Sequence, residues 1–213
     1  MANEIAAIRK EYMLEQLDEN HVLPDPIQQF EAWWREVIKS DIEEPNAMTL
    51  ATADSSGKPS ARIVLLKGIN EDGFMFFTNY ESAKGIQLIQ NPLAALVFFW
   101  KELERQVRIE GTVQKVSQQE SDDYFNSRPE GSKLGAWVSP QSKVIPSREI
   151  LEQNIAVMEE KFSGRQIERP GFWGGFVVKP SQIEFWQGRP SRLHDRIVYT
   201  KEGSDWRVER LAP

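Results

Sequence analysis

The sequence predicts a mainly β, α+β fold: one antiparallel barrel of about eight short strands with helices at its periphery. Three observations carry this expectation. From Ala47 onward the apolar residues recur with period 2 rather than 3.6, and turn signals such as Asp54-Ser55-Ser56-Gly57 and Asn70-Glu71-Asp72-Gly73 separate the runs. Such short turns join antiparallel neighbours. The helical patterns come singly or in pairs between strands, without regular βαβ alternation and without a GxGxxG loop, which argues against a dinucleotide-binding parallel sheet.

Taken in order, residues 3–17 read as a short helix with Ile5, Ile8 and Tyr12 on one stripe. Asp25-Pro26 starts a second helix, because Asp caps and Pro suits the first helical position; Ile27, Phe30, Trp34, Val37 and Ile38 form its apolar face. Strands are expected over 47–53, 60–67 and 74–79. A helix over 81–90 follows, with Ser82 and Lys84 near its start. The run 93–100 is almost wholly apolar, as in a strand covered on both faces, and 105–116 alternates. Ser117 and Glu120 have capping-box spacing for a helix to Asn126. Residues 131–140 read as irregular or briefly helical, and 147–162 as a capped amphipathic helix with Ile150, Leu151, Ile155, Met158 and Phe162 inward. Strands are expected again over 174–179, 182–186, 192–200 and 205–211. With no repeat and no low-complexity linker, residues 1–213 read as a single domain, residues 1–20 forming an N-terminal segment able to move.

Composition narrows the function classes. A net charge of −6 argues against general nucleic-acid binding, which needs a basic face. There is no cysteine, so disulfides, thiolate nucleophiles and zinc-thiolate sites are excluded, and two distant histidines make a His-rich metal site a poor expectation. No metal is expected. No apolar run has membrane-spanning length, and the N-terminus has no signal-peptide apolar core, so a cytoplasmic protein is the default. Seven tryptophans and eleven phenylalanines suit a planar ligand as well as plain core packing.

The residues that could carry chemistry gather at three places. Trp186 to Arg196 holds three arginines and one histidine; on a strand over 192–200, Arg192, His194 and Arg196 would share one face. Guanidiniums there suit a phosphate or carboxylate, and an edge strand facing water is the plainer alternative. Arg62 and Lys67 have opposite parity on their strand, and Thr78 with Lys84 adds a hydroxyl and a cation near a helix N-terminus, a natural phosphate seat. Tyr124, Arg128 and Ser132 lie at steps of four, with Pro129 between them. No catalytic triad order or Walker lysine is present, so hard chemistry would need an organic cofactor. The residues alone suggest an aromatic-lined barrel for one or two phosphorylated planar ligands, without naming a reaction.

At this point a resemblance adds to the reading. The segments Arg62-Ile63-Val64-Leu65-Leu66-Lys67, Glu104-Arg105-Gln106-Val107, Ser127-Arg128-Pro129, Gly135 to Ser139 with Gln141-Ser142, Phe172 to Phe176, Ile183 to Gly188, Arg192-Leu193-His194-Asp195-Arg196 and Arg210 to Pro213 resemble, in order, the pyridoxine/pyridoxamine 5′-phosphate oxidase family. That family comprises FMN-binding split-barrel flavoproteins. The resemblance implies oxidation of pyridoxine and pyridoxamine 5′-phosphate by O2 to pyridoxal 5′-phosphate, with hydrogen peroxide and, from the amine, ammonia. It implies a homodimer with FMN at the interface. Arg62 to Lys67, Phe77, Thr78, Lys84 and Gln106 resemble FMN contacts, and Gln141, Ser142, Trp186 and Arg196 resemble FMN contacts from the second subunit. Lys67, Tyr124, Arg128 and Ser132 resemble the substrate-phosphate seat. Arg192, Leu193 and His194 resemble residues over the substrate ring, Arg192 and His194 being the catalytic candidates. Arg9, Lys10, Glu11 and Tyr12 resemble a segment that covers the site. The chain departs from the usual family pattern at Ala83, where Arg is common, and at Glu44, where Asp is common. Two rival readings are a flavin reductase of another substrate and a non-catalytic ligand carrier. The phosphate seat argues against the first, and oxygen consumption would exclude the second.

Overall fold

The computed structural model describes Ile5 and residues 11–213. Among these residues the chain forms helices α1 (Pro26–Val37), α2 (Ala83–Gln90), α3 (Gln118–Ser127), α4 (Glu130–Val138) and α5 (Glu149–Phe162). The strands are β1 (Ala47–Ala53), β2 (Pro59–Leu65), β3 (Gly68–Asn70), β4 (Gly73–Asn79), β5 (Leu93–Trp100), β6 (Arg105–Lys115), β7 (Trp173–Gln187), β8 (Asp195–Glu202) and β9 (Asp205–Arg210). They form one sheet in the order β2-β1-β5-β6-β7-β4-β3, with β8 pairing β7 and β9 pairing β8. The pairs β3–β4, β4–β7, β7–β8 and β8–β9 are antiparallel, as the hairpin-type turns predicted.

Contacts divide the chain into two compact units. The first comprises Met1–Leu50, Ala95–Gly111 and Pro180–Pro213; the second comprises Ala51–Ala94 and Thr112–Lys179. In the first unit α1 starts as expected, with the Asp25 carboxylate accepting from the backbone N–H groups of Ile27 and Gln28. Its buried face differs by one position from the expected one: Phe30, Trp33 and Val37 are buried, whereas Ile38 is exposed. The Trp33 ring packs edge-on against Phe185 at 5.1 Å and lies under the Arg105 guanidinium at 4.5 Å. One residue is about 100° of helical phase, so the face turns to bring the Trp33 indole onto these two partners.

The strands expected separately over 174–179 and 182–186 are one strand, β7, with Pro180 inside it. Residues 173–178 pair with β4 and residues 182–187 with β8. Pro180 therefore falls at the handover from β4 to β8, outside the paired residues of both. The helix expected over 3–17 does not extend through residues 11–17, which are irregular. Glu104 takes their backbone donors instead: its carboxylate accepts from Met13 and Leu14 N–H at 2.9 and 3.2 Å.

In the second unit α2 is capped by the Ser82 hydroxyl, and α3 has the expected capping box between Ser117 and Glu120. Residues 130–138 form a full helix, which the pattern left open. Ser132 and Lys133 N–H both bond the Pro129 carbonyl, so the proline that ends α3 also begins α4. The helix α5 starts at Glu149 without a side-chain cap, and Ile155 is exposed where an inward position was expected. Gly174 and Gly175 allow a close approach. A Cβ at Gly174 would lie 2.2 Å from the Tyr80 hydroxyl oxygen, and one at Gly175 would lie 2.7 Å from the Phe77 ring.

Candidate active site

The second unit contains a cavity of about 600 Å³, lined by residues of β2, β4, α2, α3 and α4. Lys67, Phe77, Thr78, Lys84, Tyr124, Arg128, Ser132 and Gln141 all line it, together with Ile63, Val64 and Leu65. The structure thus brings together three separate sequence signals. Tyr124, Arg128 and Ser132 meet despite Pro129, because α4 restarts immediately after the break. Lys67 also lines the cavity, but not as a strand residue: β2 ends at Leu65, so the parity argument for Arg62 and Lys67 does not hold across the whole run. Arg62 points its guanidinium at Thr52 Oγ1, 2.6 Å away, and at Gln87 Oε1, 3.3 Å away.

Aromatic rings form one wall. Phe77 and Tyr124 stack at 3.9 Å, and Trp173 continues the near-parallel arrangement at 5.7 Å from Phe77. Arg128 lies over the Trp173 ring at 4.6 Å. Its Nη1 is buried and has no hydrogen-bond partner among the described residues. Burial also lowers the pKa of Arg128, because the charged form loses water. A half-buried guanidinium whose buried Nη1 is an open donor, beside two hydroxyl groups, is built to receive an anion.

Across the cavity, burial and the neighbouring Arg62 charge lower the pKa of Lys84. The Lys84 ammonium donates to Thr78 Oγ1 and Gln141 Oε1, both at 3.4 Å. Gln141, expected from a second subunit, therefore already meets this group within one chain. Ser142 is exposed, with left-handed backbone at φ 69, and does not line the cavity. Trp173 was absent from the expected site residues. Its signal was the Trp-Gly-Gly sequence, where two glycines leave room for packed aromatic rings.

The remaining expected residues belong to the first unit. Gln106 lies half-buried on β6. Arg192 and His194 are not strand residues: Pro190–Arg192 form a 3-10 turn, and β8 begins only at Asp195. Ser191 and Arg192 have left-handed backbone, with φ 56 and 62, so the expected shared face of Arg192, His194 and Arg196 does not exist. The Arg192 side chain has no hydrogen bond or ion pair among the described residues, and Leu193 is exposed. His194 packs against Trp186, with ring centroids 4.6 Å apart, and Tyr12 approaches both rings. Glu11 is exposed, while Arg9 and Lys10 lie outside the described residues. Arg196 pairs with the buried Glu184 through Nε at 2.8 Å and Nη2 at 3.0 Å, which raises its pKa. Glu184 also accepts from Arg108 at 3.3 Å. No expected residue pointed to Glu184.

Residues 35–162 match the family model described as pyridoxamine 5′-phosphate oxidase, and residues 173–213 match that of a pyridoxine 5′-phosphate oxidase C-terminal dimerisation region. The chain is 55% identical over 213 residues to a pyridoxine/pyridoxamine 5′-phosphate oxidase from Cyanothece sp., covering all of both chains. It is 57% identical over 214 residues to one from Gloeothece citriformis, again covering all of both. Among solved structures, PhzG from Burkholderia lata, in complex with tetrahydrophenazine-1-carboxylic acid, superposes with a TM-score of 0.89 at 27% identity, over 96% of this chain and 100% of that one. A pyridoxamine 5′-phosphate oxidase-related, FMN-binding protein from Nostoc punctiforme gives a TM-score of 0.70 at 20% identity, over 90% of this chain and 100% of that one, a likeness of fold. The antiparallel split barrel with peripheral helices is thus the fold of this chain, and the chain belongs to the pyridoxamine 5′-phosphate oxidase family.

Proposed function

We propose that this protein is an FMN-dependent oxidase that converts pyridoxine 5′-phosphate and pyridoxamine 5′-phosphate to pyridoxal 5′-phosphate. Dioxygen is reduced to hydrogen peroxide, and the amine substrate also releases ammonia. Family membership and full-length relatives bearing that activity in their names support the reading. The single structural observation that carries it is the buried, unpartnered Nη1 of Arg128 beside the stacked rings of Phe77, Tyr124 and Trp173. A cavity with a planar aromatic wall and cations on separate elements fits a flavin and a phosphorylated pyridine.

Bound FMN would supply the redox chemistry, taking a hydride from the substrate's 4′ carbon and returning the electrons to dioxygen. The protein supplies binding and orientation. Lys67, Tyr124, Arg128 and Ser132 hold the substrate phosphate. Arg62, Thr78 and Lys84 serve the cofactor phosphate, with Gln141 bonded to both Thr78 and Lys84. Ile63 to Leu66, Phe77 and Gln106 complete the cofactor contacts within one subunit, and Gln141 and Ser142 reach the cofactor of the second. Trp186 and Arg196 reach the cofactor of the second subunit, so FMN lies at a homodimer interface; the match to a dimerisation region supports the dimer. Arg192, Leu193 and His194 lie over the substrate ring, and Glu11 and Tyr12 cover it; Arg9 and Lys10, expected to join them, lie outside the described residues.

We take residues 1–213 as one functional domain, since β1, β5, β6 and β7 each run from one compact unit into the other. Of the N-terminal segment expected to move, residues 1–20, positions 1–4 and 6–10 lie outside the described residues. Among the described residues no helix is long and apolar enough to cross a membrane, and we place the enzyme in the cytoplasm. The test is an anaerobic titration of the FMN-loaded protein with pyridoxamine 5′-phosphate. Bleaching of the flavin absorbance is expected, and an unchanged spectrum at saturating substrate would reject the reading.

A further inference from the structure

The face of the sheet that carries Trp186 and Arg196 also carries a ladder of charges. Side chains two positions apart on a strand share a face, so Gln106, Arg108 and Glu110 stand together on β6, and Glu184 and Trp186 on β7. Trp186 faces Arg196 across the β7–β8 pair, which makes Glu184 and Arg196 diagonal neighbours. Contacts run along this face. Arg108 donates to Glu110 at 3.2 Å and to Glu184 at 3.3 Å, and Glu184 accepts from Arg196 Nε at 2.8 Å and Nη2 at 3.0 Å. Gln106, Trp186 and Arg196, the residues of this unit that resemble cofactor contacts, thus share one face with Glu184.

Exposure along the ladder is unequal. The Glu184 side chain is 4% exposed, against 25% for Arg196 and 42% for Arg108. A carboxylate so buried is costly unless charged donors surround it. The Arg196 contact is a fork: Nε and Nη2 of one guanidinium edge meet the two carboxylate oxygens, a geometry that fixes the guanidinium plane. Nη1 donates to the Ala212 carbonyl at 2.9 Å, so the C-terminal residues hold the third nitrogen. Each terminal nitrogen keeps a second N–H, with no acceptor among the described residues. Because charges alternate along the ladder, Arg196 offers directed hydrogen bonds rather than a free cation.

We propose that Glu184 is a positioning residue for the cofactor: its carboxylate fixes the plane of the Arg196 guanidinium, aims the remaining N–H donors at FMN and cancels the Arg196 charge there. Glu184 acts through Arg196 and not by touching the cofactor. This rests on the reading above, in which Arg196 reaches the cofactor of the second subunit.

The test is a double-mutant cycle read on FMN affinity, by flavin fluorescence titration, and on the midpoint potential of the bound flavin. Glu184→Gln keeps the size of the side chain but turns an amide toward one Arg196 donor. FMN binding should weaken roughly tenfold, the size found when an outer partner of a metal-ligating group is removed. Arg196→Met should weaken it about as much, and Glu184→Gln/Arg196→Met no more than either single change, because the two residues act as one unit. The potentials should move in opposite directions. Losing the Glu184 charge favours electron uptake and raises the potential, losing the Arg196 charge lowers it, and the double variant returns close to wild type. A role confined to packing gives no such cancellation. If Arg196→Met is too unstable to load with FMN, Glu184→Gln compared with the double variant, which buries no unpaired carboxylate, still decides. Wild-type affinity in Glu184→Gln, a further tenfold loss in the double variant, or potentials that shift in the same direction in both single variants overturns the proposal. Wild-type affinity in both Arg196→Met and the double variant overturns it too, and locates the failure in the placement of Arg196 at FMN.

Discussion

Arg128 and Arg196 carry the same guanidinium group in opposite surroundings. Arg128 is buried against Trp173 with an open Nη1, and burial lowers its pKa. Each guanidinium nitrogen of Arg196 has an acceptor: Glu184 takes two of its donors and the Ala212 carbonyl a third at 2.9 Å, and its pKa is raised. Arg128 thus holds a charge that awaits an anion, whereas the charge of Arg196 is already answered by the fold. An unanswered charge contributes to ligand binding at the expense of stability, and an answered one does the reverse.

This contrast breaks if the two arginines respond alike to removal. The largest effect should come from Arg196→Met, which leaves the buried Glu184 with only the Arg108 contact. Breaking one side of a buried pair costs about 3 kcal/mol, so equilibrium denaturation should show a loss of that order. A fully stable Arg196→Met protein would mean that the Glu184 pair adds nothing net. Arg128→Met should leave unfolding stability unchanged or slightly higher, because no hydrogen bond is lost and relief of a partly buried charge offsets the lost contacts with the Trp173 and Phe125 rings. Its cost should fall on the substrate: a charge-assisted bond contributes about 1.5–3 kcal/mol, so KM should rise about 10–100-fold with kcat nearly intact. If kcat falls as far as kcat/KM while KM stays fixed, Arg128 acts on the transition state alone and the seat is misassigned.

Smaller changes sharpen the picture. Ala83 stands exposed at the first position of α2, beside Lys84. Ala83→Arg should tighten FMN roughly tenfold, about 1.5 kcal/mol, as followed by flavin fluorescence titration. Weaker or equal binding would show that Lys84 and its neighbours already suffice. The smallest effect is expected at Glu44, whose backbone is left-handed at φ 47. Asn tolerates that region better, so Glu44→Asn should raise stability by about 0.5 kcal/mol in thermal or chemical denaturation. A destabilised Glu44→Asn protein would show that the Glu44 side chain makes a contact worth more than the backbone relief.

Short-range signals were readable in the sequence because a few neighbouring residues satisfy them. Asp25, Ser82 and the Ser117–Glu120 box each cap a helix where expected. The period-2 runs became antiparallel strands. Lys67, Lys84, Tyr124, Arg128 and Ser132 could be singled out by residue type, and they do line one cavity. What residue type could not supply was direction. Nothing near Lys67 announces that β2 stops at Leu65, and nothing near Arg192 requires two successive left-handed residues.

The sequence by itself determined the fold class, the helix starts and the inventory of cations, hydroxyls and rings, because periodicity and capping act within about one turn or one hairpin. Tertiary structure alone decided which groups were left open and which were answered. Met13 N–H finds Glu104 across 91 positions, and Leu17 N–H finds Asp195 across 178. Glu184 reaches Arg108 over 76 positions, whereas Arg128 Nη1 finds no partner among the described residues. Such pairings depend on packing between distant segments, and a buried charge acquires its partner, or its vacancy, only when those segments meet.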